Sequence, residues 1–412
     1  MISVVIYILF WGIWFFVNSK KHGINSSSVL IGLYFVSSIC LLVLVLYHPE
    51  YNSNKVYFGA TIYHLMLYLL FLTPIVKHGN RLDVDKLHIP DLLFKRVSYA
   101  LIIIGTLTII LSISGIKNVL SFDSFEGARQ NAIWGDDNKT FYSYGLIGYI
   151  ATIGMNTPMF AIFLAFYRLF KDRKTDIVFY LLIVTSLSGP FMNLTIAGRD
   201  GLVRWIMFLI CNIAIYKKYI SFKAIPFFLK LLSLLVIGFI CTFFILITFS
   251  RFGEGEDAFM SIVDYLGMSS YYFSEIYKHV GANYLFGFNT IFPIIPGGLN
   301  SLEIAKLGLN FSTSAFHTFI GSFVLYVGTF WTFIMAVVFN LIYNYSHRLN
   351  RFRLSNYFSH LIFYQVVYVG VFYFVYALLA WQCSFLIVYM LSIPIKLKNS
   401  RGETIKLLHK RQ

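Results

Sequence analysis

The residues best suited to chemistry are arginines that stand beside long apolar runs. Arg199 and Asp200 lie side by side between two glycines, with an apolar run on either side, and Arg204 follows five residues after Arg199. A third arginine, Arg251, ends another apolar run. Arginine stays charged at any relevant pH, and its planar guanidinium binds phosphate oxygens in pairs. Because charge beside hydrocarbon is costly, these arginines predict a site for a pyrophosphate group.

Each of these charged residues also has a structural interpretation. An arginine at the end of a membrane span can lay its stem along hydrocarbon and place its charge at the interface. The tight turn leaves Arg199 the least freedom to do so. Asp200 can pair with an arginine and orient it, or it can take a direct catalytic role. The sequence leaves both interpretations open.

His317 is the candidate base outside this turn. It stands at the start of a late apolar run, just after a short polar stretch. Near neutral pH an imidazole can accept a proton or contact a phosphate. The alternative is a histidine whose ring is satisfied by a neighbouring hydroxyl or carbonyl group. His64 and His360 lie inside apolar runs, and we interpret both as packed polar groups.

Motifs for several other chemistries are absent from the sequence. It contains no phosphate loop, dinucleotide fingerprint, His-Glu-x-x-His motif or metal-binding carboxylate cluster. The cysteines all fall in apolar runs without metal-like spacing, at Cys40, Cys211, Cys241 and Cys383. We therefore expect no metal and no cofactor, and an ATP-driven pump is not expected. The apolar runs also lack the buried acids and lysines that ion-coupled transporters use.

The elements that must position these residues are membrane spans. The chain is 58% hydrophobic and 12% charged, with a mean hydropathy of +0.72. No polar segment is long enough to bury its own core, so residues 1–412 are predicted to form one membrane-embedded domain. The predicted spans are 2–17, 28–47, 56–76, 97–115, 145–167, 177–197, 202–220, 226–249, 318–344, 356–376 and 378–395. The last two share one apolar run, so the chain must turn near Ala377 to Gln382.

The distribution of basic residues predicts the orientation of these spans. Lys and Arg concentrate in alternate loops, which is typical of cytoplasmic loops. This places the N-terminus outside, the C-terminus in the cytoplasm, and the turn at 198–201 on the outer face. The net charge of +15 follows this topology, so nucleic acid is not an expected partner.

Two predicted outer segments, 116–144 and 250–317, are longer than ordinary connections. Apolar residues recur at helical spacing in the second segment, after an acidic opening. We expect an amphipathic helix there, lying on the bundle. Its apolar positions are Phe259, Ile262, Val263, Leu266, Tyr272, Phe273 and Ile276.

Taken together, these features resemble one known family. They are the span plan, the turn at 198–201, the outer stretch Gly287-Phe288-Asn289-Thr290 and the stretch Ala315-Phe316-His317-Thr318. The chain is similar in these respects to the Wzy-type O-antigen and capsule polymerases, also called oligosaccharide repeat unit polymerases. The resemblance implies an all-α polytopic membrane protein with a GT-C-like bundle. It would have about eleven transmembrane helices and a large outer loop between spans eight and nine.

The resemblance also implies an activity at the outer face of the bacterial inner membrane. Such a glycosyltransferase moves a glycan from undecaprenyl pyrophosphate onto a lipid-linked repeat unit, without a nucleotide sugar. Arg199, Arg204 and Arg251 would bind the pyrophosphate, and His317 or Asp200 would take the proton of the acceptor hydroxyl. Expected partners are the lipid-linked oligosaccharides and membrane lipids, with a chain-length regulator and a flippase as further candidates. The alternatives are a lipid-linked oligosaccharide flippase or transporter, or an O-antigen ligase.

Overall fold

The computed structural model describes the chain in several stretches. They are residues 1–48, 51–121, 127, 129, 145–198, 200–219, 256–281, 286–293, 295, 297–298, 317–347, 353–372, 374 and 379–394. The predicted span at 226–249 lies outside the described residues, as do Arg199, Arg251 and most of segment 116–144.

All the regular elements within these stretches are helical. In chain order they are α1 (Ile2–His22), α2 (Ser26–Tyr47), α3 (Phe58–Gly79), α4 (Asp91–Leu120), α5 (Gly145–Met155), α6 (Pro158–Phe166), α7 (Ile177–Thr185), α8 (Ser188–Leu194), α9 (Asp200–Ile215), α10 (Glu256–Val280), α11 (Phe288–Ile291), α12 (Thr318–Ser346), α13 (Leu354–Val369) and α14 (Leu379–Ser392). A π-helical turn, Tyr167–Lys171, extends α6.

The helices confirm a polytopic membrane protein. Within the described residues, six helical segments are long and apolar enough to cross a membrane: α1, α2, α3, α4, α12 and the stretch Ile177–Leu194 formed by α7 and α8. A seventh crossing is formed if α5 and α6, which are bent by 52° at their junction, count as one span. Helices α9 and α13 have 16 residues each and α14 has 14. At about 24 Å or less they are shorter than a hydrocarbon core of about 30 Å, so the predicted number of spans stays a prediction.

The helices pack in two groups. One contains α1, α2, α3, α10 and α12, and the other contains α4 to α9; α13 contacts both α3 and α6, while α14 packs on α4, α5 and α13. Buried tyrosines tie α13 to α2: the Tyr34 hydroxyl donates to the Val367 carbonyl at 2.6 Å, and the Tyr364 hydroxyl donates to the Ser26 carbonyl at 2.9 Å. Each hydroxyl is satisfied without water, as a buried polar group requires.

The amphipathic helix predicted in segment 250–317 is present as α10. It packs against α2, α3 and α12, and Phe273 is fully buried. Gly267 makes the approach to α2 possible, because a β-carbon there would lie 2.7 Å from the backbone of Cys40 and Leu41. The predicted helix thus packs on the bundle through its apolar face, and Gly267 lets its backbone come close to that of α2.

The predicted turn between the last two spans also needs correction. It was expected near residues 377–382, whereas α13 already ends at Val369 and α14 begins at Leu379. The chain therefore leaves the helix several residues earlier than hydropathy indicates.

Packing at Gly370 accounts for the early end of α13. A β-carbon on Gly370 would lie 2.8 Å from the Phe319 ring. Two residues further on, the Phe372 carbonyl accepts the backbone N–H groups of His317 at 3.1 Å and Thr318 at 2.8 Å. The start of α12 thus packs on the segment after α13. Its N–H groups bond to the Phe372 carbonyl, which would accept a hydrogen bond within α13 if that helix continued.

Candidate functional site

The turn between α8 and α9 is built by the backbone. The Asn193 carbonyl accepts the N–H groups of Gly198 at 2.9 Å and Ile196 at 3.2 Å. Ala197 has a φ of +47°, in the left-handed region. Helices commonly end with one residue in the left-handed region. The N–H of the next residue then bonds to the carbonyl five residues before it, as Gly198 does to Asn193 here. This helix end reverses the chain so that α9 packs back on α8.

Close contact between α8 and α9 determines where the charged residues of α9 lie. A β-carbon on Gly201 would lie 2.4 Å from Asn193 Nδ2 and 2.7 Å from the Gly189 carbonyl oxygen. Only glycine fits this crossing without a shift of backbone. The crossing places Asp200 and Arg204, four residues apart, on one side of the first turns of α9.

Arg204 and Asp200 form an ion pair inside the bundle. Arg204 Nη2 donates to Asp200 Oδ2. The arginine side chain is 8% exposed and the aspartate side chain 45%. The guanidinium carbon also lies 5.5 Å from the ring centroid of Trp381 on α14, an arrangement that favours a cation–π contact. Arg204 is thus a buried charge held by a carboxylate and an aromatic ring, and its side chain does not reach out to an interface.

Hydrogen bonds from Trp205 and Asn212 to neighbouring helices set the rotation of α9 that turns Arg204 inward. Trp205 Nε1 donates to Ser186 Oγ at 3.0 Å, between α7 and α8. Two turns further on, the Asn212 amide donates to the Met159 carbonyl of α6 at 3.3 Å and to the Phe208 carbonyl at 2.9 Å. The face of α9 that carries Arg204 therefore points toward α6 and α8.

A small pocket with a mixed polar and apolar lining adjoins the ion pair. It is lined by Met155, Pro158, Gly189, Asn193, Gly201, Arg204, Trp205, Phe208 and Gln365, and its cavity of about 10 Å³ holds about one water molecule. Gln365 on α13 is 1% exposed, and its Oε1 has no hydrogen-bond partner among the described residues. A pyrophosphate does not fit this volume, so binding one requires Asp200 to release Arg204 and the turn to open.

His317 lies just before the first residue of α12, beside the segment that follows α13. It is 3% exposed, and its Nε2 lies 3.1 Å from Ser322 Oγ. It is not among the residues that line the Arg204 pocket. The structure therefore pairs two of the predicted site residues, Arg204 and Asp200, and gives His317 a different partner, Ser322.

His64 is a packed polar group, as its place in an apolar run indicates. The Tyr7 hydroxyl lies 2.7 Å from Nδ1, and Thr318 Oγ1 lies 3.1 Å from Nε2. Both ring nitrogens of this fully buried histidine are thus satisfied.

Gln365 and Trp381 were not predicted as parts of the site. Gln365 is an amide inside a predicted span, and a polar side chain in that position is itself a signal of function or of helix contact. Trp381 carried no such signal, because tryptophan is common at membrane interfaces.

The described residues offer no metal site: no group of three or more His, Cys, Asp or Glu is placed among them to hold a metal ion. No known protein family, curated protein or solved structure matches this chain. Its fold and composition define the class as an all-helical membrane-embedded protein. The site adds an ion pair between a buried arginine and a half-exposed carboxylate, with an adjoining pocket.

Proposed function

We propose that this protein is a glycosyltransferase that polymerises a surface polysaccharide in the bacterial inner membrane. It would transfer a growing glycan from undecaprenyl pyrophosphate onto a lipid-linked repeat unit at the outer face. The observation that carries the proposal is the buried Arg204, which is paired with a half-exposed carboxylate. It shares a pocket with Gln365, whose amide oxygen has no hydrogen-bond partner among the described residues. A buried charge is costly, and in a membrane protein its presence favours a functional role.

In the proposed reaction, an acceptor hydroxyl oxygen attacks the anomeric carbon of the donor glycan. The bond from that carbon to the pyrophosphate oxygen breaks, and negative charge builds on the leaving pyrophosphate. Arg204 stabilises this charge from a buried position, where the attraction between opposite charges is stronger than in water, and this is a strong catalytic effect. Arg199 and Arg251 are the further candidate contacts to the pyrophosphate.

The acceptor hydroxyl must lose its proton as the new bond forms. Asp200 is the first candidate base, because it is half exposed and becomes free when Arg204 turns to the phosphate. His317 is the second candidate. The proposed partners are undecaprenyl-pyrophosphate-linked oligosaccharides, together with a flippase that delivers them and a regulator of chain length.

The test is to replace the buried arginine and follow chain length. We expect Arg204→Gln and Arg204→Lys to insert normally and to leave surface glycan as single repeat units. Lysine keeps the charge but loses the fork that binds two phosphate oxygens. The matched control is Arg353→Gln, an exposed arginine just before α13.

Protein level and thermal unfolding should be measured for each variant beside the glycan ladder on a gel. The control should make chains of wild-type length. Long chains at wild-type level from a correctly inserted Arg204→Gln variant overturn the proposal.

A further inference from the structure

A second polar pocket lies where α3 and α12 end. Its polar lining consists of Lys77, His78, Arg81, Tyr343, Asn344 and His347, and its cavity measures about 30 Å³. Among the described residues that line it, none is acidic. Lys77 and Arg81 are exposed, whereas His347 is only 5% exposed. The pocket therefore combines a buried imidazole with two exposed cations.

Helix ends alone do not explain this concentration of basic groups. A cation near the C-terminus of a helix is favourable, which accounts for Lys77 and His78 on α3 taken singly. Yet α3 and α12 bring their basic ends to one cavity, and the ring centroids of His78 and His347 lie 4.6 Å apart. The ring of His360 on α13 lies 5.1 Å from that of His78. Groups that can all become positive are thus packed together without a lining carboxylate.

His347 has one ring nitrogen without a hydrogen-bond partner among the described residues. His347 Nδ1 lies 3.0 Å from the Tyr343 carbonyl oxygen, so this nitrogen carries the hydrogen of the bond. Its Nε2 is buried and has no hydrogen-bond partner among the described residues. Protonation would turn Nε2 into a second donor, which needs an acceptor. An anion in the pocket would supply that acceptor.

We propose that this pocket binds a phosphate group, presented by an anionic phospholipid headgroup. Lys77 and Arg81 would hold the phosphate oxygens at the mouth, and His347 Nε2 would donate from inside. Basic pockets between membrane helices on the cytoplasmic side are suited to such headgroups. The predicted orientation places the ends of α3 and α12 on that side. The site is separate from the Arg204 pocket, so its test is independent of glycan transfer.

The experiment uses the purified full-length chain in nanodiscs. The two lipid arms are phosphatidylcholine alone and phosphatidylcholine mixed with phosphatidylglycerol. A third arm titrates inorganic phosphate in detergent, to separate a free anion from a headgroup. We expect phosphatidylglycerol to raise the thermal unfolding midpoint of the wild type by about 2–4 °C. The rise should be absent in the double variant Lys77→Gln, Arg81→Gln.

The matched control is the double variant Lys20→Gln, Lys21→Gln. These lysines are also exposed at the end of a helix on the predicted inner side, but they do not line the pocket. The control should keep the wild-type rise. An equal rise in the pocket variant overturns the proposal. The other informative result is that inorganic phosphate raises the thermal unfolding midpoint of the wild type but not of the pocket variant, while phosphatidylglycerol raises neither. That result overturns the lipid as the source of the phosphate.

Discussion

Asp200 and Arg204 lie one turn apart on α9, and their ion pair is asymmetric: the guanidinium is buried and the carboxylate is half exposed. The cost of desolvation falls mainly on Arg204, so Asp200 stabilises a charge that has lost its water. The exposed carboxylate is also the half of the pair that can move. An incoming phosphate could therefore replace it without leaving the arginine unpaired.

Asp200→Asn tests this arrangement, because it keeps the shape of the side chain and removes its charge. We expect the transfer rate at saturating substrate to fall by about 10²–10⁴-fold, as for the loss of a catalytic base. KM should stay unchanged or fall, since Arg204 is released for the phosphate. Stability should fall by about 1–2 kcal/mol, less than for a fully buried pair because Asp200 is half exposed.

The measurement for this variant is the initial rate of glycan transfer against the concentration of lipid-linked substrate. Asp91→Asn is the control, since Asp91 is an exposed carboxylate at the start of α4. A wild-type rate in the Asp200 variant would remove Asp200 as the base and leave His317 as the candidate.

Gly267→Ala tests the close crossing of α10 and α2. The new β-carbon would lie 2.7 Å from the backbone of Cys40 and Leu41, so the helices must separate. We expect a loss of about 1–3 kcal/mol in the free energy of unfolding, seen as a lower thermal midpoint. Gly59→Ala is the control, because a β-carbon there meets nothing within 4 Å and alanine favours a helix. Equal effects of the two changes would contradict this crossing.

Asp176 should make stability depend on pH at the acid end. Arg168 donates hydrogen bonds to this carboxylate, the shortest from Nη2 to Oδ2 at 2.5 Å. They hold the pKa of the carboxyl below its usual range. Because the pKa is lower in the folded chain, the stabilisation is present above the unfolded value of about 3.9. It is lost as pH falls through the folded value. The effect should stay below about 1 kcal/mol, since the carboxylate is 37% exposed.

The thermal midpoint measured against pH checks this expectation. The wild type should lose more stability than Asp176→Asn as pH falls below about 4, because only the wild type loses the ion pair there. Asparagine can keep the cap at the start of α7, where Asp176 accepts the Phe179 N–H at 3.2 Å. Parallel curves for the two proteins would rule out the contribution of the pair.

The predicted orientation can be tested by labelling with a membrane-impermeant maleimide. In a background without the native cysteines, Asp200→Cys should react in intact spheroplasts. Arg353→Cys should react only after the membrane is opened, because the basic loops are predicted to be cytoplasmic. Both positions are accessible enough to label, since Asp200 is half exposed and Arg353 is exposed. The reverse pattern would place Arg204 on the wrong face for the proposed donor.

Membrane embedding and the helical class were predictable from the sequence. Long apolar runs must satisfy their backbone hydrogen bonds internally, and a helix does so with local contacts alone. The spacing of apolar residues in α10 and the four-residue spacing of Asp200 and Arg204 also depend only on positions within one helix. Each follows from the geometry of a single helix, so no knowledge of neighbouring elements was needed.

Tertiary structure decided what surrounds those helices. Gly267 buries α10 against α2, and contact with Phe319 accompanies the end of α13 at Gly370. Gln365 lines the same pocket as Arg204, and Trp381 contacts Arg204, although both lie more than 150 residues away in the chain. Hydrophobic periodicity predicts which face of a helix is apolar, but it does not specify the partner of that face or the crossing point. Those depend on how side chains from distant segments fit together, which only the folded chain determines.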